Sequence, residues 1–139
     1  MRDYTKIIAF VKADDLVMRV YEVTQDWPKD ELYGLTSQIR RASVSVAANI
    51  VEGSGRRYQA EYLKFLSISN GSLREVGYYI HLAKRLGYMN DEEHAKIQRI
   101  HEEASRVLWG LIQTISTQLG QQPLANVVRE DYADYKITE

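Results

Sequence analysis

Apolar residues recur along this chain at alternating intervals of three and four, the signature of helices that bury one face. In the first such stretch the stripe is Phe10, Ala13, Val17, Val20 and Thr24, widened by Ile7, Val11 and Tyr21. It stops near Trp27-Pro28, because proline disfavours helical geometry in the residue before it. The second stretch starts near Asp30 and runs through Leu32, Leu35, Ile39, Ala42, Val46 and Asn49 or Ile50. That is a heptad seam, and Gly53-Ser54-Gly55 ends it as a glycine-capped helix. The third begins near Tyr58, carries Leu63, Leu66, Asn70, Leu73, Val76 or Gly77, Ile80 and Ala83, and closes at Gly87. The fourth opens on Asn90 as N-cap, with Glu93 completing a capping-box start. Its stripe is Ile97, Ile100, Ala104, Val107, Leu111 and Ile115, and Gly120 ends it.

Helices of about 20–30 residues, roughly 30–45 Å long, are here joined by connections of only a few residues. Sequential helices then lie antiparallel. The pattern predicts an all-α, antiparallel up-down-up-down four-helix bundle over residues 1–120. Residues 121–139 fit no clear stripe. In this C-terminal tail, Leu124, Val127 and Val128 either dock on a bundle or neighbouring subunit, or belong to a frayed acidic terminus.

Composition narrows the picture. The 139 residues suit one domain, and two prolines with eight glycines leave too few turns for a β-sandwich. The absence of cysteine removes a disulfide framework, a thiolate zinc site and a cysteine nucleophile together. The charged start, Arg2, Asp3 and Lys6, lacks a signal-peptide apolar core. Between Arg106 and Arg129 no residue is charged, a run long enough to span a bilayer. It holds Gln113, Thr114, Ser116, Thr117, Gln118, Gln121, Gln122 and Pro123, which hydrocarbon does not accept unpaired, so no membrane span is expected.

Candidate chemistry is sparse. His81, His94 and His101 lack the Glu-x-x-His spacing of bundle metal sites, so no metal or other cofactor is expected and the histidines read as surface residues. Gly53-Ser54-Gly55-Arg56-Arg57-Tyr58 fits neither dinucleotide nor P-loop patterns. Its two arginines beside a helix start either hold an anion or are simply solvated. Ser54 and Ser72 lack a nucleophile elbow, and no small-molecule substrate is evident.

Polar residues beside the seam carry more information. Arg41, Ser45 and Asn49 stand four apart, Glu52 continues their line, and Asn70, Ser72 and Glu75 accompany them on the third helix. Buried polar groups are costly unless mutually bonded, so an Arg41–Glu52–Glu75 network bridged by Asn49 and Asn70 is expected. Its role is fold or subunit specification, or else a ligand pocket. Small residues (Ala42, Ser43, Ser45, Ala47, Ala48, Ser67, Ser69, Gly71 and Ser72) permit close helix approach and packing against another chain.

Net charge is −1, from 18 basic and 19 acidic residues. From Thr36 to Gly87, however, eight basic residues oppose three acidic ones, leaving +5 there and −6 elsewhere. Arg40, Arg56, Arg57, Lys64, Lys84 and Arg85 are therefore candidates for a nucleic-acid surface. The same residues are equally placed to pair with Asp91, Glu92, Glu93, Glu102 and Glu103 within or between subunits.

The block Tyr33-Gly34-Leu35-Thr36-Ser37-Gln38-Ile39-Arg40-Arg41-Ala42, then Ser45, then Asn49-Ile50-Val51-Glu52-Gly53-Ser54-Gly55-Arg56, resembles the signature of the four helix bundle protein family. That family is also called the 23S rRNA intervening-sequence protein and carries a ribosomal-protein label. Phe65-Leu66, Gly71-Ser72, Glu75, Leu86-Gly87-Tyr88 and Trp27-Pro28 continue the likeness, which covers roughly Ile7 to Leu119. Val51 stands where the family usually has alanine. The resemblance implies a bacterial cytoplasmic protein that assembles as a homopentameric barrel of bundles and has no enzymatic activity. Gln38, Arg41, Ser45, Asn49, Glu52, Asn70, Ser72 and Glu75 are then its polar network or assembly residues. A related branch, accessory proteins of diversity-generating retroelements, binds nucleic acid and reverse transcriptase through basic barrels. The net charge of −1 departs from that branch. The expected function is a non-enzymatic oligomer with RNA or a nucleoprotein as partner, or alternatively a protein–protein scaffold without nucleic acid.

Overall fold

A computed structural model describes residues 2–120, so the two expectations for the tail lie outside the described residues. Four helices follow one another: α1 (Ile8–Thr24), α2 (Leu35–Ser54), α3 (Gln59–Arg85) and α4 (Asp91–Gln118). Single 3-10 turns at Tyr4–Lys6 and Lys29–Glu31 precede α1 and α2, and no strand occurs among the described residues. α2 and α3 pack on each other, α1 lies against α2 and α4, and α3 also lies against α4. Leu16, Ile39, Ile50, Leu66, Leu73, Ile80, Ile97, Leu108 and Ile112 are fully buried at the centre. Burying each such side chain is worth about 1.5–3 kcal/mol, which is what fixes helices of modest intrinsic stability in place.

The buried faces differ in detail from the sequence stripes. On α1 the core side is Ala9, Ala13, Leu16, Val20, Val23 and Thr24, so Ala13, Val20 and Thr24 of the expected stripe are buried, while Val11 and Tyr21 are exposed. On α4 Leu108 and Ile112 lie deeper than Val107 and Leu111. A straight helix drifts about 20° per heptad against a strict 3.5-residue repeat, so over a long helix the buried face moves to neighbouring positions.

α2 starts later than expected. Leu32 and Tyr33 are exposed and Gly34, with φ −112° and ψ −117°, precedes the first helical residue. The Glu31 side chain determines this entry: its carboxylate accepts the Tyr88 hydroxyl at 2.8 Å and the Leu35 amide at 3.4 Å. The other end also departs from expectation. Gly55 keeps a right-handed φ of −84°, so no left-handed glycine closes α2. Gly53 serves proximity instead, because a Cβ there would sit 2.8 Å from the Phe65 Cβ.

The remaining ends follow their local chemistry. At the end of α3 the Tyr88 amide donates to the Ala83 carbonyl (2.9 Å) and the Gly87 amide to that of Lys84 (3.1 Å), with Gly87 at φ 78°. This is the Schellman arrangement that glycine favours. Asn90 and Glu93 form the reciprocal capping box at the start of α4, at 2.8 and 3.1 Å.

Candidate functional site

The polar residues beside the seam divide into a joined set and a separate set. Ser45 and Ser72 share a hydrogen bond of 2.9 Å across α2 and α3, and the Asn49 amide donates to the Ser45 carbonyl (2.8 Å) and hydroxyl (3.1 Å). One step inward, Ser69 donates to the Val46 carbonyl at 2.7 Å. These small side chains give α2 and α3 a polar rivet at close approach. Gln38, Arg41, Glu52 and Glu75 are exposed and Asn70 is half-buried. Glu52 pairs with Arg56, one turn further along. The expected Arg41–Glu52–Glu75 contacts are thus not formed within the chain. Arg41 and Glu75 face solvent, where an ion is hydrated without a partner.

Most of the basic candidates already have intramolecular partners. Arg40 of α2 reaches across to α1, its Nε donating to Thr24 Oγ1 at 2.9 Å and its guanidinium 4.8 Å from the Tyr21 ring centre. Arg56 sits between Glu52 and Glu61 and stacks 4.7 Å over Phe65. Lys84 pairs with Asp91, and this ammonium holds the Asp91 carboxyl below its usual range. Arg57 stacks over Tyr58 at 5.5 Å. Among the described residues, Arg57, Lys64 and Arg85 form no ion pair.

Two features have no counterpart in the sequence stripes. Arg2 folds over the α2–α3 turn, donating to the carbonyls of Ser54 (3.3 Å) and Arg56 (3.0 Å) and to the Gln59 side chain. It stacks 4.4 Å over Tyr62. His101 is not a surface residue. It reaches from α4 to α3, where its Nε2–H donates to the Leu73 carbonyl at 2.8 Å, and burial lowers its pKa from the ordinary value. A histidine on the flank of an apolar stripe and Gly77 inside α3 were the available signals; a Cβ at Gly77 would meet the imidazole, and only packing joins the two. Across α1 and α4, Lys12 and Glu103 pair at 2.9 Å, an exposed bond that raises the Lys12 pKa and lowers that of Glu103.

Fold and surface together define a small all-α protein of four packed helices with a polar α2–α3 junction and a charged turn between them. The sequence model of the 23S rRNA-intervening sequence protein family matches residues 5–110, and the chain belongs to that family. Its fold is similar to the crystal structure of a protein of unknown function from the S23 ribosomal protein family of Bacteroides thetaiotaomicron. The TM-score is 0.70 at 22% identity, over 76% of this chain and 95% of that one. Among curated proteins none matches the chain. No helix of the described residues is long and apolar enough to cross a membrane.

Proposed function

We propose that this chain is a non-enzymatic, cytoplasmic assembly protein: an antiparallel up-down-up-down bundle that self-associates, as a homopentameric barrel, through the outer face of α2 and α3. The antiparallel reading is supported by pairings that run in opposite directions along the two helices. Ser45 meets Ser72, Val46 meets Ser69, and Gly53 meets Phe65.

One observation carries the assembly reading. Beside the Ser45–Ser72 rivet, α2 exposes Val44 (41%) and Ala48, and α3 exposes Ile68 (46%) and Gly71. Arg41 and Glu75 flank this face and have no ion-pair partner among the described residues. An apolar centre with small residues and a charged margin suits a protein interface better than bulk water. Internal contacts account for other side chains with chemical potential: His101 bonds a carbonyl, and Ser45 and Ser72 bond each other.

Light scattering tests the assembly, with an expected mass five times that of the 16.1 kDa chain. Val44→Glu and Ile68→Glu should return the protein to monomers that keep their helical circular dichroism. A wild-type monomer would refute the proposal.

A second reading gives the assembly an RNA or nucleoprotein partner through Arg57, Lys64 and Arg85, which form no ion pair among the described residues. Its measurement is RNA affinity against salt concentration, where each phosphate contact on a single strand contributes a slope of about −0.7. Without a slope, the protein–protein scaffold is the better account.

A further inference from the structure

We propose that the α2–α3 turn is a binding site for a single phosphate group. A cavity of about 570 Å³ lies there, lined by Arg2, Gly55, Arg56 and Arg57. Arg2 stands more than fifty positions before the other three and reaches them through the N-terminal turn. That turn is fixed by the Asp3 carboxylate, which accepts the Thr5 amide at 3.0 Å and hydroxyl at 2.6 Å.

Three guanidiniums line one cavity, and no carboxylate lines it with them. Glu52 and Glu61 both approach Arg56, and among the described residues no carboxylate pairs with Arg2 or Arg57. Each guanidinium is braced on a ring: Arg2 on Tyr62, Arg56 on Phe65 and Arg57 on Tyr58. The terminal nitrogens of Arg2 donate to the Ser54 and Arg56 carbonyls and to Gln59, and Arg56 faces Glu52 and Glu61, so both contribute charge. Arg57 keeps its donor fork for a ligand, and bracing lowers the ordering cost of binding. Guanidinium forks match the oxygens of phosphate as they do those of carboxylate, and Gly55 presents no side chain to obstruct the approach of a bulky tetrahedral anion. The volume admits a phosphate together with the group that bears it. The site stands on the three guanidiniums; it does not depend on the α3 N-terminus beside them, nor on the nucleic-acid reading, since a free phosphate and a strand phosphodiester present the same chemistry.

The two sources are separated by two titrations of the full chain. Inorganic phosphate, exchanged against chloride at constant ionic strength, should give saturable amide NMR shifts at Gly55, Arg56 and Arg57. Arg57→Gln should weaken that binding about tenfold, the loss of one charge-assisted hydrogen bond. A short single-stranded RNA forms the second arm, where Arg57→Gln should lower the salt slope by about 0.7 if a strand supplies the phosphate. An effect of Arg57→Gln in either arm supports the site and identifies the source. Phosphate shifts that do not saturate, together with RNA affinity indifferent to Arg57→Gln, overturn it even if RNA still binds through Lys64 and Arg85. Arg57 is exposed, so the variant should keep the wild-type melting temperature. Arg2→Gln should lose phosphate and also melt earlier, because Arg2 holds the carbonyls of Ser54 and Arg56.

Discussion

His101 occupies the space that Gly77 leaves open on α3: a Cβ at Gly77 would stand 2.9 Å from the imidazole Cε1 and 3.0 Å from Nε2. The close approach of α3 and α4 at this level and the His101–Leu73 hydrogen bond are therefore one arrangement. Glycine inside a helix costs about 0.5–1 kcal/mol relative to alanine, and here it admits an imidazole to the junction. Gly77→Ala should displace the ring and destabilise the protein, whereas in a His101→Ala background the same change should stabilise it through helix propensity. Urea denaturation of the four proteins in the cycle measures the coupling, and additive effects would contradict this packing.

Acid should weaken the protein through the same histidine. Burial lowers the His101 pKa below its ordinary 6.5, so the folded state binds fewer protons than the unfolded chain around that pH. The stability it contributes is fully present above the unfolded value and declines as pH falls through about 6.5. Urea midpoints followed from neutral to mildly acidic pH should fall in the wild type and flatten in His101→Gln. Equal slopes in the two proteins would assign the acid response to other groups.

Glycines in α2 and α4 should respond in opposite directions. Gly53→Ala brings a Cβ to 2.8 Å from Phe65 and 3.3 Å from the Tyr62 carbonyl, which forces α2 and α3 apart at a cost of about 1–3 kcal/mol. Gly110 meets nothing within 4 Å, so Gly110→Ala should stabilise by about 0.5–1 kcal/mol. Thermal melts of the two variants rank these effects directly.

The start of α4 offers a local test. Asn90→Ala removes the acceptor for the Glu93 amide and should cost about 0.5–2 kcal/mol, while Asn90→Ser should retain most of the stability. Chemical denaturation resolves a difference of this size.

Helix identity was legible because it rests on local rules. The Asn90–Glu93 box, the Gly87 end and the alternating apolar steps each depend on residues within one or two turns. The start of α2 was not, because Glu31 is fixed partly by Tyr88, which lies 57 positions away. The small polar set was legible in part: Ser45, Asn49 and Ser72 meet as their spacing suggests, but the spacing alone placed Arg41, Glu52 and Glu75 among them. A long charged side chain at the edge of a seam reaches either inward or outward, and only the neighbouring helix decides which.

By itself the sequence determined an all-α chain of four amphipathic helices, because helical periodicity and capping are short-range properties of the backbone. It also carried the motif block of its family. The tertiary structure alone decided which faces are buried, that Arg2 joins the α2–α3 turn, and that His101 fills the space beside Gly77. The last two bring together residues 24 or more positions apart. Their geometry depends on how whole helices pack, and an apolar repeat along a single helix does not encode that.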